Sequence, residues 1–68
     1  MTTTGTVTRF KACEFGFIKP DSGGADIFCH SKQVLGSDDP VRGERVQFKL
    51  KKDSHGRWVA TQVVIIDY

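Results

Sequence analysis

The chain has no apolar run of the roughly eighteen residues that a membrane helix needs, and no basic-then-apolar leader precedes its first patterned segment. Neither a membrane span nor a signal peptide is expected. Cysteine is scarce, with only Cys13 and Cys29. Small secreted domains stapled by disulfides carry more, and a bridge between these two needs a Cα separation that sequence does not fix. A reduced, cytosolic protein is expected. Catalytic signatures are missing as well: there is no Gly-x-Ser-x-Gly elbow, no phosphate-binding loop and no carboxylate pair. Cys13, Cys29, His30 and His55 lack the short paired spacings of a zinc site. Glu14 beside Cys13 does not activate a thiol. The reading is therefore not an enzyme, with no metal and no cofactor. Charge of one sign is also lacking, since ten Lys and Arg against eight Asp and Glu leave +2. That suits weak, sequence-tolerant contact with nucleic acid without requiring it.

What is present fits one domain over residues 1–68, with residues 1–4 a frayed lead-in. A chain of this length buries only roughly 60% of its unfolded surface, so its stability is modest. Five short strands alternate with turns: residues 5–11, 15–19, 25–30, the segment around 46–51, and 58–66. In the fourth, Val46, Phe48 and Leu50 point in, and Gln47, Lys49 and Lys51 point out. Pro20-Asp-Ser-Gly-Gly24 is a turn whose proline fixes φ and whose glycines accept positive φ. Residues 31–34 form a short helical turn, Leu35 covers a barrel end, and the acids of the 36–40 loop repel phosphate. Residues 63–66 are apolar on both faces and suit an edge cover or a dimer contact. No helical crossover is long enough for parallel pairing. A small, partly open Greek-key barrel is the economical solution.

The chain is organised around Phe15-Gly-Phe-Ile18, answered by Ile27-Phe-Cys-His30. Side chains alternate faces along a strand. Phe15 and Phe17 thus share one face, and Phe28 and His30 share one on the next strand. Gly16, Ile18, Ile27 and Cys29 take the opposite side. Two buried faces need covering layers that 68 residues cannot supply. The aliphatic side therefore lines the core, and the rings stand in solvent as a stacking surface for bases. The bland alternative buries the rings and leaves Ile18, Ile27 and Cys29 wet, a worse partition.

Residues 5–10, 15–24 and 26–30 together resemble the first half of a cold shock domain. Val41-Arg-Gly-Glu-Arg-Val46 and Ala60-Thr-Gln-Val63 resemble, more loosely, its later strands. The resemblance implies an all-β, five-stranded antiparallel OB-type barrel that binds single-stranded RNA or DNA. Residues 15–18 correspond to its first ribonucleoprotein motif and 27–30 to its second. Departures are marked. Where the family has a Lys-Trp-Phe-Asn run this chain has Thr8-Arg-Phe-Lys11, so the exposed Trp is Arg9. Cys13-Glu14 replaces a Lys-Gly pair, Ser31 replaces a Phe, and the loop before the fourth strand is shorter and lacks its Phe.

The candidate nucleic-acid-binding residues are Phe15, Phe17, Phe28, His30, Arg9, Phe10, Lys11 and Trp58. His30 can stack when neutral and meet phosphate when protonated. Arg9 can stack on a base and pair with phosphate, standing in for the lost ring. The face taken by Arg9 and Phe10 stays open, because a bulge would shift the alternation. Lys11, Lys19 and Lys32 suit phosphate contacts, whereas Lys49, Lys51 and Lys52 are not assigned to the main site. Trp58 either rims the binding surface or closes a barrel end. The expected function is an RNA chaperone or post-transcriptional regulator that binds unpaired strands weakly. The alternative is a binding-impaired interaction module, monomeric or a domain-swapped homodimer favoured by a short first turn.

Overall fold

A computed structural model describes residues 2–36 and 39–66 of the chain. Five strands form a closed barrel: β1 (Thr2–Lys11), β2 (Phe15–Pro20), β3 (Ile27–His30), β4 (Arg45–Lys52) and β5 (Trp58–Ile65). They neighbour one another in the order β1-β2-β3-β5-β4. A 3₁₀ turn, Ser31–Gln33, follows β3 as expected. The barrel is closed rather than partly open, and one of its seams is parallel. β3 runs alongside β5 with Phe28 opposite Val59 and Cys29 opposite Ala60. The expectation of antiparallel pairing alone assumed that only a helix could return the chain. Here β4 itself makes the crossover.

The core is built from the inward residues of every strand. Val7, Ile18, Cys29, Val46, Phe48, Ala60 and Val63 are each 1% exposed or less. Phe10, Ile27, Val34 and Ile65 lean on that cluster. Two irregularities let the alternation fit the barrel. In β1, Val7 faces Ile18 while Arg9 already faces Phe17, so Thr8 is an extra residue and a bulge. The Thr8 hydroxyl lies between two acceptors, the Phe17 carbonyl at 3.2 Å and Asp26 Oδ2 at 3.1 Å. In β5, Gln62 takes a left-handed φ of 50° where the pairing with β4 slips beside Phe48. Ala60, Val63 and Ile65 can then all face inward.

Several sequence expectations are corrected. Residues 2–4 extend β1 and pair with Lys49, Phe48 and Gln47, while Met1 lies outside the described residues. The third strand begins at Ile27, not residue 25, and the fifth ends at Ile65. Leu50 is 39% exposed despite its inward register. Among the described residues β1 pairs with β4 as far as Lys49, one position short of Leu50. Leu35 does not cover a barrel end; its side chain is exposed, and Val34 beside it makes the contact with the core. At the end of β5, Val64 and Ile65 pair with Gln47 and Val46, Val63 bridges Val34 on the other side, and Val64 stays 42% exposed. Of the 36–40 loop, Ser37 and Asp38 lie outside the described residues.

An ion-pair clasp ties the 20–24 turn to the barrel. Arg45 holds Asp21 with two bonds, Nη1 to Oδ1 at 2.7 Å and Nη2 to Oδ2 at 2.6 Å. The Thr4 hydroxyl donates to Asp21 Oδ2 at 2.7 Å. Those donors, the Arg45 bond first, lower the Asp21 carboxyl from 3.8 to about 2.

Candidate nucleic-acid interface

The pairing of β2 with β3 sets the site. Phe15 lies opposite His30 and Phe17 opposite Phe28, while Gly16 faces Cys29 and Ile18 faces Ile27. Every second pair points the same way, so the first two pairs share the outer face and the other two share the core face. Ile18 and Cys29 are wholly buried, while Phe15 is 38% exposed. His30 is exposed, and Phe17 and Phe28 are half-buried. Their partial cover comes from one another. Phe15 and Phe28 stack with centroids 5.6 Å apart. Phe17 stands edge-on to both, at 6.2 and 5.9 Å. These are favourable aromatic geometries, and they hold three rings in one continuous outer patch.

The Thr8 bulge decides what flanks that patch. After it, Arg9 lies opposite Phe17 and Lys11 opposite Phe15, so both cations join the ring face. Phe10 lies opposite Gly16 and packs towards the core instead. Strand pairing thus turns Phe10 to the core side, though its ring still lines a small cavity with Arg9, Lys11, Phe15 and Phe17. Its ring needs the glycine. A Cβ on Gly16 would sit 2.5 Å from the Arg9 carbonyl and collide with the Phe10 ring. Lys11 is engaged with Glu14, Nζ to Oε2 at 3.2 Å, which tempers its charge. Lys19 and Lys32 are exposed. His30 Nδ1 accepts the Lys32 backbone N–H at 3.1 Å. The neutral ring thus carries its proton on Nε2.

Trp58 opens β5 and is 53% exposed, so it does not close a barrel end. It lines a groove of ≈ 560 Å³ together with Gly56 and Arg57 of the hairpin, residues 25–27, and Phe17 and Phe28 of the platform. Lys52, opposite Trp58 in the hairpin, places Nζ 5.2 Å from the indole centroid. The sequence reading leaves Lys52, with Lys49 and Lys51, off the main site and does not bring it to Trp58. The β4–β5 register pairs Lys52 with Trp58 at the hairpin's end and supplies the signal. The hairpin is held by Asp53, which accepts the Arg57 and His55 backbone N–H groups, each at 2.9 Å, and Arg57 Nε at 3.2 Å. These bonds, led by the Arg57 backbone donor, lower the Asp53 carboxyl below its ordinary value. Cys29, in contrast, has its thiol pushed up to about 11 by burial, with the Asp39 charge a lesser cause.

A small closed barrel of five strands with rings on the outer face of β2 and β3 defines an OB-type barrel with a wet aromatic surface. The model of the 'Cold-shock' DNA-binding domain family matches residues 3–66. The chain is 43% identical over 56 residues to the Probable cold shock protein y4cH of Sinorhizobium fredii, covering 78% of this chain and 81% of that one. It is 37% identical over 54 residues to the cold shock protein CspA of Rhizobium meliloti, covering 75% and 78% respectively. In fold it is similar to Drosophila Unr CSD456, with a TM-score of 0.81 at 24% identity, over 97% of this chain and 27% of that one. The chain belongs to the cold shock domain family, whose fold binds nucleic acid. Among the described residues no helix is long and apolar enough to cross a membrane.

Proposed function

We propose that this protein binds single-stranded RNA or DNA by stacking bases on Phe15, Phe17, Phe28 and His30, with Arg9 and Lys11 meeting the backbone at one edge. The observation that carries this reading is the three-ring patch with centroids 5.6–6.2 Å apart, left in solvent while the aliphatic face of the same strands is buried. Stacking on such rings contributes about 1–3 kcal/mol per base. With a guanidinium in place of the usual Trp, affinity is on the order of micromolar. Weak binding suits an RNA chaperone. A protein that takes only unpaired strand shifts the pairing equilibrium by mass action and then releases quickly.

The test is fluorescence anisotropy of a labelled thymine- or uracil-rich oligonucleotide at two salt concentrations. Wild type saturates with a shallow salt dependence, a log–log slope of roughly −1 to −2, since about 0.7 accrues per phosphate on a single strand. The Phe15→Ala/Phe17→Ala double variant loses at least tenfold. Equal binding by the two proteins refutes the platform.

A further inference from the structure

We propose that the groove between Trp58 and the platform is a separate slot for one more base of the same strand, with Trp58 as its stacking wall. The proposal rests on the platform reading and extends it to this chain's own hairpin. The groove is continuous with the platform, because Phe17 and Phe28 line both. It opens at the start of β5, where a large apolar ring is left 53% exposed. An indole in that state has surface to offer a flat partner.

Charge identifies which part of a nucleotide enters. Asp26 and Arg57 both line the groove; Arg57 is already paired with Asp53 at 3.2 Å, so the Asp26 carboxylate is left to disfavour phosphate there. Lys52 approaches the indole ring at 5.2 Å, on the strand opposite Trp58. The base therefore fills the groove, and its phosphate lies towards the ammonium of Lys52. The slot is also preformed. The Asp53 carboxylate fixes the hairpin through two backbone N–H groups and the Arg57 side chain, so little ordering is left to be done on binding. Arg9 offers no ring where the family has its Trp, and the indole of residue 58 supplies one at the other margin of the same surface.

The experiment compares oligonucleotides of roughly three and roughly seven nucleotides, since single barrels of this type cover about 4–16. Wild type, Trp58→Ala, Trp58→Phe and Phe15→Ala/Phe17→Ala are titrated by anisotropy, with circular dichroism verifying the fold of each. Trp58→Ala is expected to weaken the longer strand on the order of tenfold while leaving the shorter one unchanged. Trp58→Phe retains most of the affinity. The indole fluorescence of wild type is quenched by the longer strand only. If Trp58→Ala binds both lengths like wild type while the double Phe variant fails, the slot is refuted and the platform stands. If the double Phe variant binds both lengths like wild type, the platform is refuted, and the slot as its extension is refuted with it.

Discussion

Two phenylalanines on β4 and β2, the two strands that flank β1 in this small barrel, should respond to truncation in opposite ways. Phe48 is fully buried against Val7, Ile18, Val46 and Val63. Replacing a buried Phe by Ala costs about 3–5 kcal/mol in transfer and cavity terms. A chain of 68 residues has about 3–10 kcal/mol of total stability, at roughly 0.05–0.15 kcal/mol per residue. Phe48→Ala therefore removes most of it, and Phe48→Leu, a smaller change of shape, removes about 1–1.5 kcal/mol. Phe17 is half-buried, and its ring contacts are edge-on approaches to Phe15 and Phe28. Its truncation costs about 1 kcal/mol of folding free energy, yet about 1–3 kcal/mol of binding, a factor of roughly 5–150 in Kd. Urea denaturation followed by circular dichroism gives the first quantity, and anisotropy titration of the folded variants gives the second. Phe48→Leu should bind as wild type does, with a lowered midpoint. Phe17→Ala should keep a near-normal midpoint and lose affinity. If Phe17→Ala shifted the midpoint as far as Phe48→Ala while binding stayed intact, the assignment of core and platform faces would be refuted.

Three further outcomes follow from the same geometry. Gly16→Ala places a methyl 2.5 Å from the Arg9 carbonyl and against the Phe10 ring; it should cost about 1–3 kcal/mol in thermal or urea unfolding, because backbone cannot yield cheaply. The Asp21 carboxyl is lowered from 3.8 to about 2, so its contribution to stability is complete above the unfolded value and is lost as pH falls through the folded one. Asp21→Asn should flatten the acid limb between about pH 4 and pH 2 in a denaturation series. Cys13 is exposed and Cys29 buried, with the Cys29 thiol raised to about 11. A chromogenic disulfide reagent at about pH 8 should therefore titrate one thiol in the native protein and two in denaturant.

The ring platform was legible in the sequence because period-two alternation needs no knowledge of neighbours. Phe15-Gly-Phe-Ile18 and Ile27-Phe-Cys-His30 each divide cleanly, and their pairing needs only the intervening turn. What escaped was everything that depends on where one strand ends relative to another. Leu50 has the inward register yet is 39% exposed, one position past the last described β1–β4 pair. The Thr8 bulge puts Arg9 outward and Phe10 inward, a choice that alternation alone cannot make. Gln62 is a second such case, since a left-handed φ at an unbranched polar residue leaves no mark in the pattern. Lys52 is left off the main site in the sequence, and only the hairpin register sets it beside Trp58. The parallel seam escaped because a β-strand, rather than a helix, served as the crossover.

That seam is the shortest lap joint in the wall, two residue pairs long, and the outer rings of Phe28 and Trp58 sit on either side of it. If a strand binds as proposed, lying across both, it would act as a staple over the joint. Occupancy and cohesion then rise together: ligand at about a hundred times Kd adds about 2.7 kcal/mol to the folded state. On that footing the cargo would become part of what keeps its carrier shut, and slowed amide exchange at residues 28–29 and 59–60 would report each strand as it lands.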